Sequence, residues 1–306
     1  MRASLASSLS YLHSALGDRL DLAATDVEAA IANIGEHRVR PGVFGRYYKL
    51  VFAVESGQFD KARALFREIM NLARDTPALS IAPFTDAALG EEKQLYTELI
   101  DPDAATQPWM AAPQSCDGLG ARVAGALELI EVADARLAGE LRALIVEIVG
   151  AAPSHAPGAR PFGSVSSLML WGLVIVNLER YASAQALVEG LVHEAAHLLL
   201  FAHSVDGPLV TNAIEERYTS PLRSDPRPMD GVFHATFVSA RMYYVTRRLR
   251  EAATPALAID TDRLGERLKL FRDLYFGGLE TVQAHAKLTP SGRRIITESV
   301  DYMSEA

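Results

Sequence analysis

The run His193-Glu194-Ala195-Ala196-His197 combines residue types and a spacing that suit a metal site. In an α-helix four residues advance about 400°, so His193 and His197 would lie on one face, one turn apart. Their imidazoles could then reach one ion, with Glu194 about 100° further round the helix. The alternative is two backbone-bonded histidines in a buried helix, but polar rings in so apolar a segment need partners. The run therefore predicts that His193 and His197 bind a metal.

Two of the three candidates for a third ligand have spacings known from zinc peptidases. His203 fits the H-E-x-x-H-x-x-G-x-x-H metalloproteases, but Leu200 stands where that motif has glycine. If the helix continues past Leu200, His203 is rotated by about 240° away from the ion. Glu216 has the spacing of a large class of zinc aminopeptidases, although Glu215 replaces the asparagine of their N-E-G turn. Both residues stay open as alternatives.

His234 is the third candidate and the one that we rank first. It lies near the start of residues 231–250, a proline-free stretch that is typical of a helix. Two turns further on, about 10 Å along the axis, Arg241 returns to the same face. A ligand histidine with an arginine above it would hold a metal and an anionic group bound to that metal. The plain alternative for Arg241 is one more cation in an arginine-rich helix.

A second block of sequence accompanies the metal motif: Ser220-Pro221-Leu222-Arg223-Ser224-Asp225-Pro226-Arg227-Pro228-Met229, then Gly231, Phe233-His234 and Arg241. Together with the H-E-x-x-H run, this block resembles the H-E-x-x-H motif proteins encoded beside ribosomally made, post-translationally modified peptides. Members of that family are understood as iron- and 2-oxoglutarate-dependent peptide β-hydroxylases. The resemblance covers roughly residues 168–245, and the two blocks are more specific together than apart.

The resemblance implies an enzyme that hydroxylates a peptide side chain, at a β-carbon of a ribosomally made precursor peptide. It implies Fe(II) as the metal and 2-oxoglutarate as the cosubstrate. Such an oxygenase needs three protein ligands on one face of iron, with the other positions open for 2-oxoglutarate and O₂. The ligand set that we expect is His193, His197 and His234.

The distal carboxylate of 2-oxoglutarate needs a cation, and a guanidinium binds a carboxylate through a bidentate fork. The candidates are Arg223, Arg227 and Arg241. Prolines stiffen the loop that carries the first two, which could preset their positions. The alternative for these two is a surface turn in which they pair with Asp225.

Glu194 separates three functional hypotheses. In a zinc metallopeptidase it would be the general base that activates metal-bound water. In an oxygenase it would orient a ligand or hydrogen-bond the substrate. In a peptide-binding protein that keeps the metal only as a structural staple, loss of Glu194 would be tolerated and no cosubstrate would be consumed.

The composition is that of a soluble globular enzyme: 306 residues, 49% hydrophobic and 22% charged. A net charge of −8 argues against a nucleic-acid binder, whose surface would be basic. Cys116 is the single cysteine, so no intrachain disulfide is possible and a reducing cytoplasm fits. No segment reaches the roughly 20 apolar residues of a membrane span. We expect a cytoplasmic protein that does not bind membranes; a homodimer stays open.

Helical periodicity over most of the chain predicts a mainly α protein with a small β element, of the α+β class. We expect the H-E-x-x-H helix to lie beside a short sheet. A helical N-terminal region would cover residues 1–101. A metal-centred catalytic domain with C-terminal helices would cover residues 117–306, after a proline-containing linker.

Three segments before the metal helix matter for the fold. Residues 168–177 are dense in Leu, Val and Ile and are predicted as the best strand. Residues 133–149 are predicted as a helix. Residues 151–163 contain three prolines and two glycines, so we expect irregular structure that could line a peptide groove.

Overall fold

The computed structural model describes residues 1–73, 79–100, 109–157, 159, 161–220, 223–257 and 259–304. The chain is 66% helical and carries a small mixed sheet, which confirms the prediction of a mainly α protein with a small β element. Residues 101–108, which include the start of the predicted linker, lie outside the described residues.

The α-helices of the described residues are α1 (Arg2–Leu16), α2 (Ala24–Glu36), α3 (Pro41–Glu55), α4 (Phe59–Leu72), α5 (Asp86–Leu89), α6 (Glu91–Ile100), α7 (Leu119–Ala133), α8 (Ala135–Leu144), α9 (Ala184–His203), α10 (Met229–Ala252), α11 (Thr261–His285) and α12 (Pro290–Ser304). The strands are β1 (Ser80–Pro83), β2 (Met110–Ala111), β3 (Glu147–Pro153), β4 (Ser164–Val165), β5 (Leu173–Asn177), β6 (Tyr218–Ser220) and β7 (Arg223–Arg227).

The chain divides into two compact units. Unit 1 comprises Met1–Gly120 and Arg142–Ala182, and unit 2 comprises Ala121–Leu141 and Ser183–Ala306. Strands β1 to β5 therefore belong to unit 1, together with the N-terminal helices. The H-E-x-x-H helix α9 and the C-terminal helices belong to unit 2.

Unit 1 is built on a sheet with the strand order β1-β3-β5-β4. Strand β3 runs parallel to β1 and to β5, and β2 pairs with it antiparallel near its end. Because β3 is covered on both faces, its residues are apolar almost throughout, as is usual for a central parallel strand. A core cluster packs against the sheet: Phe84, Leu89, Leu95, Tyr96, Leu99, Met110, Val149, Ala151, Phe162, Leu170, Leu173 and Ile175.

The predicted helix over residues 133–149 and the irregular segment after it are wrong in part, because the chain enters β3 at Glu147. Helix α8 ends at Leu144, and a run of β-branched residues then forms the central strand. Gly150 allows close packing there, since a Cβ at this position would lie 2.9 Å from side-chain atoms of Leu119 and Leu178. A short apolar run does not distinguish a buried strand from a buried helix by periodicity alone.

The predicted strand over residues 168–177 is confirmed only in its second half. A single 3₁₀ turn (Leu168–Leu170) comes first, and β5 begins at Leu173. Gly172 separates the two with φ of +94°, a conformation that favours glycine. A Cβ at Gly172 would also lie 2.8 Å from Cγ2 of Val146.

Within unit 2, helices α10 and α11 make a close contact where Gly278 faces Thr236. A Cβ on Gly278 would collide with Oγ1 of Thr236 and lie 3.3 Å from its Cβ. The Thr236 hydroxyl cannot move away freely, because it donates a hydrogen bond to the Val232 carbonyl at 2.8 Å. This contact fixes the part of α10 that carries His234.

We predict that Gly278→Ala destabilises the protein by about 1–3 kcal/mol, the usual cost of overpacking a close contact. The matched control is Gly265→Ala on the same helix, where an added Cβ meets nothing within 4 Å. That control should be neutral or stabilising by up to about 1 kcal/mol, because alanine has the higher helix propensity. Urea unfolding of both variants measures the difference, and equal free energies of unfolding would contradict the prediction.

Candidate metal centre

Helix α9 begins at a capped N-terminus and continues without a break through the metal motif. The Ser183 hydroxyl accepts a hydrogen bond from the Ala186 amide at 3.1 Å, which satisfies one of the unpaired amides of the first turn. The helix then runs to His203, so His193 and His197 lie one turn apart on one face, as predicted.

Helix α10 supplies the third histidine. It begins at Met229, directly after Pro228, whose fixed φ and missing amide hydrogen suit the residue before a helix. His234 lies in the second turn, and its side chain is 12% exposed. The structure therefore places His234 on a regular helix that packs against α9 within unit 2.

The three predicted histidines lie together. The Nδ1 atoms of His197 and His234 are 3.2 Å apart, and the ring centroids of these residues are separated by 5.5 Å. The centroid of the His193 ring lies 5.0 Å from that of His197. Two nitrogens bonded to one ion at about 2.1 Å are roughly 3.0–3.4 Å apart in octahedral or tetrahedral geometry. The spacing of the two Nδ1 atoms therefore fits ligands that share an ion.

The His193 ring is the least constrained of the three. Its side chain is 40% exposed, whereas the other two rings are mostly enclosed. Over the described ranges, no group of three or more His, Cys, Asp or Glu side chains has all of its donors arranged to hold an ion. Two nitrogens already have a ligand spacing, and the exposed ring is adjacent. The cluster thus supplies two imidazole nitrogens at a ligand spacing and a third imidazole beside them.

Burial keeps the inner histidines neutral. Loss of solvent lowers the pKa of His197 to about 3; the nearby Glu194 opposes this shift and the other two imidazoles add to it. Burial also lowers the pKa of His234 to about 4. A neutral imidazole is the form that binds a metal, so these side chains are ready to act as ligands at neutral pH.

Glu194 faces inward rather than toward solvent. Its side chain is 3% exposed, and Oε1 lies 4.0 Å from Nε2 of His193. Its negative charge acts on His197 as well, where it raises the pKa against the effect of burial. Glu194 is thus placed to interact with both histidines of its own helix.

Phe201 is a member of the cluster that the sequence reasoning missed. Its ring stacks on His197 with centroids 6.4 Å apart and lies 5.6 Å from the ring of His234. Its position in the sequence could have indicated this contact, because Phe201 follows His197 by four residues, about one helical turn. This ring packs against both enclosed imidazoles and limits their rotation.

The two alternative ligands lie in other surroundings. His203 is exposed in the last turn of α9, where the helix dipole favours a histidine. Glu216 accepts hydrogen bonds from the Tyr218 hydroxyl and, at 3.2 Å, from Asn212 Nδ2; Lys287 Nζ lies 3.4 Å away. These partners, Tyr218 first, lower the pKa of Glu216 to about 2. Glu216 is therefore held by a polar cluster of its own.

The three candidate arginines differ in their contacts. Arg223 begins β7, and its side chain lies outside what the structure describes. Arg227 lies beside Gly231 at the start of α10, and its Nη2 is 3.4 Å from the exposed carboxylate of Asp225. The Nε of Arg227 is buried without a hydrogen-bond partner among the described residues.

Arg241 has a stronger partner, which the sequence did not indicate. Its Nη2 forms a short ion pair with Glu140 of α8, and both side chains are partly buried. The Nε of Arg241 is also buried and unpaired within the described ranges. Arg241 thus links α10 to α8 in this structure, two turns beyond His234.

No family model and no curated protein matches this chain. Among the described residues, no helix is long and apolar enough to cross a membrane.

We predict that His234→Ala loses bound metal, because the ion then keeps only the two histidines of α9. The loss of affinity should exceed the roughly 10–100-fold that follows removal of an outer partner. Glu216→Ala should retain stoichiometric metal. Metal analysis after anaerobic loading and desalting measures both, with Glu215→Ala as the control for an acid lost from the same segment. Retention in His234→Ala with loss in Glu216→Ala would move the third ligand to Glu216.

We also predict that the metal-free protein loses stability as the pH falls below about 6.5. Unfolded histidines bind protons near that pH, whereas folded His197 and His234 bind them only near pH 3 and 4. The unfolded state therefore binds more protons throughout this window, and each histidine contributes a slope of up to about 1.4 kcal/mol per pH unit.

Urea unfolding in the presence of a chelator, at several pH values between 7.5 and 5, tests this prediction. His197→Asn should lose part of the slope, and the exposed His203→Asn should keep all of it. Identical slopes in the two variants would show that His197 is not buried in its neutral form.

Proposed function

We propose that this protein is an Fe(II)- and 2-oxoglutarate-dependent hydroxylase that acts at a β-carbon of a side chain in a ribosomally made precursor peptide. The observation that carries the proposal is the 3.2 Å separation between the Nδ1 atoms of His197 and His234. It supports a ligand set of three histidines, the set implied by the family resemblance. The zinc aminopeptidase alternative needs Glu216 instead, whose partners are Tyr218, Asn212 and Lys287.

Three facial protein ligands suit an oxygenase, because they leave adjacent positions open for a chelating cosubstrate and for O₂. Fe(II) bound there would couple the oxidative decarboxylation of 2-oxoglutarate by O₂ to the insertion of one oxygen atom into a substrate C–H bond. The chain's own part is to keep His197 and His234 neutral by burial and to present them from two rigid helices.

Arg227 is our preferred partner for the distal carboxylate of 2-oxoglutarate. Its side chain packs against Gly231, which lies about one helical turn before His234 on α10. Its contact with Asp225 is long and largely exposed to solvent. Such a surface pair contributes little, so a bound carboxylate could replace it. Arg241 would have to give up a short, partly buried ion pair with Glu140.

Glu194 fits a supporting role in this reaction. A carboxylate that is 3% exposed and close to His193 can hold the ligand rings in place. As the base of a zinc peptidase it would instead have to reach a water on the metal. We therefore assign Glu194 to ligand orientation.

The substrate peptide would meet a protein of net charge −8, which favours a peptide with basic character. We place the protein in the cytoplasm, where its single cysteine stays reduced.

The direct test is an anaerobic absorption spectrum of the Fe(II) protein with and without 2-oxoglutarate. We expect a metal-to-ligand charge-transfer band that needs both components, followed by succinate formation when O₂ is admitted. Arg227→Met should raise the KM for 2-oxoglutarate by about 10–100-fold, since a charged hydrogen bond is worth about 1.5–3 kcal/mol. Arg241→Met is the matched variant and should change this KM less.

Other outcomes would identify the alternatives. Absence of the band, together with zinc-dependent peptide cleavage that Glu194→Gln abolishes, would establish a metallopeptidase. Metal binding with neither reaction, unchanged in Glu194→Gln, would indicate a peptide-binding protein in which the metal is structural.

A further inference from the structure

The two ring nitrogens of His234 face different partners. Nδ1 points to His197, 3.2 Å from its Nδ1, whereas Nε2 lies 3.7 Å from Oδ1 of Asp230. Asp230 is one helical turn before His234 on α10, so both side chains share a face of that helix. One nitrogen thus belongs to the histidine cluster and the other to a carboxylate.

An acidic residue in the first turn of a helix has an ordinary explanation. The N-terminal end of the helix dipole favours negative charge, and α11 carries Asp262 at the corresponding place. Asp262 therefore serves as a reference for that general effect. Asp230 differs because it is also within ion-pair distance of the His234 ring.

The position of the ring hydrogen matters for metal binding. A neutral imidazole carries one N–H and one lone pair, and the partner of the N–H decides which nitrogen keeps the lone pair. The His234 ring is confined, with 12% of its side chain exposed and Phe201 packed beside it. Few water molecules can therefore reach its nitrogens as alternative hydrogen-bond partners.

We infer that Asp230 is a positioning residue for the metal centre: it accepts the hydrogen of His234 Nε2 and thereby keeps the Nδ1 lone pair directed at the ion. The inference rests on the proposed function only in that it takes His234 to be a metal ligand. Carboxylates commonly orient ligand histidines in this way. In the metal-free chain, His197 Nδ1 then donates its hydrogen to His234 Nδ1. When a metal binds, this hydrogen moves to His197 Nε2, so the ring stays neutral and its Nδ1 lone pair can bind the ion.

The distance between His234 Nε2 and Asp230 Oδ1 limits how strongly Asp230 can act on the ring. At 3.7 Å the contact is an ion-pair distance, longer than a hydrogen bond. The Asp230 side chain is 61% exposed, so a rotation of its carboxyl group can close the gap. We therefore expect an effect on the ring hydrogen and on metal affinity rather than on folding.

The first experiment reads the hydrogen directly, by ¹⁵N nuclear magnetic resonance of the metal-free protein, with His234→Gln used to assign the signals. We expect His234 to carry its hydrogen on Nε2 in the native chain. Asp230→Ala should populate the Nδ1–H form, and Asp230→Asn, whose amide oxygen still accepts a hydrogen bond, should stay close to native. An Nδ1–H form in the native chain would overturn the inference without any variant.

The second experiment measures Co(II) and Fe(II) affinity by anaerobic titration. Asp230→Ala should bind about 10–100-fold more weakly, as for other outer partners of ligand histidines. Asp230→Asn should recover most of this loss, and Asp262→Ala should bind as the native chain does. If Asp262→Ala weakened metal affinity as much as Asp230→Ala, the effect of Asp230 would be a general one of acidic residues in a first helical turn, and the inference would be overturned.

The two experiments separate this inference from the proposed function. A protein that binds Co(II) through His234 but never turns over 2-oxoglutarate would disprove the hydroxylase and leave Asp230 as argued. Turnover of 2-oxoglutarate, together with native metal affinity in Asp230→Ala, would support the hydroxylase and disprove the role of Asp230.

Discussion

The contact between His197 and His234 is the constraint on which the candidate site depends. Two imidazoles from different helices are held with nitrogens 3.2 Å apart in surroundings that lower both pKa values. Because these rings are buried, water cannot satisfy their nitrogens, and either a hydrogen bond between the rings or a shared ion must do so. Both solutions need the same alignment of α9 and α10, which links the stability of this region to its chemistry.

Packing around the pair maintains that alignment. The glycine contact between α11 and Thr236 fixes α10 two residues after His234, and Phe201 covers both rings. Asp230 lies next to His234 and Glu194 lies next to His193, so each helix adds one carboxylate to the cluster. The histidines are therefore restrained by side chains of α9 and α10 and by the contact of α10 with α11.

The sequence predicted those parts of the site that follow from helical spacing. His193 and His197 share a face because the chain between Ser183 and His203 has nothing that ends a helix. His234 was ranked above His203 and Glu216 partly through the family resemblance, and in the structure Glu216 is held by Tyr218 and Asn212 instead. The resemblance to a hydroxylase family stays a prediction, as do the cosubstrate and the peptide.

The features that the sequence did not predict depend on tertiary contacts. The ion pair of Arg241 with Glu140 joins residues far apart in the chain, and no local pattern indicates it. The spacing of Asp230 and His234 becomes informative only once α10 is known to start at Met229. Strand β3 was missed because a short, wholly buried strand carries no alternation of apolar and polar residues.

The most direct test of the account is a crystal structure of the chain loaded with Fe(II), with the ion located by anomalous scattering at the iron edge. We expect one ion within bonding distance, about 2.1 Å, of nitrogens from His193, His197 and His234. An ion bound by Glu216 with His193 and His197, or no ion between these helices, would contradict it.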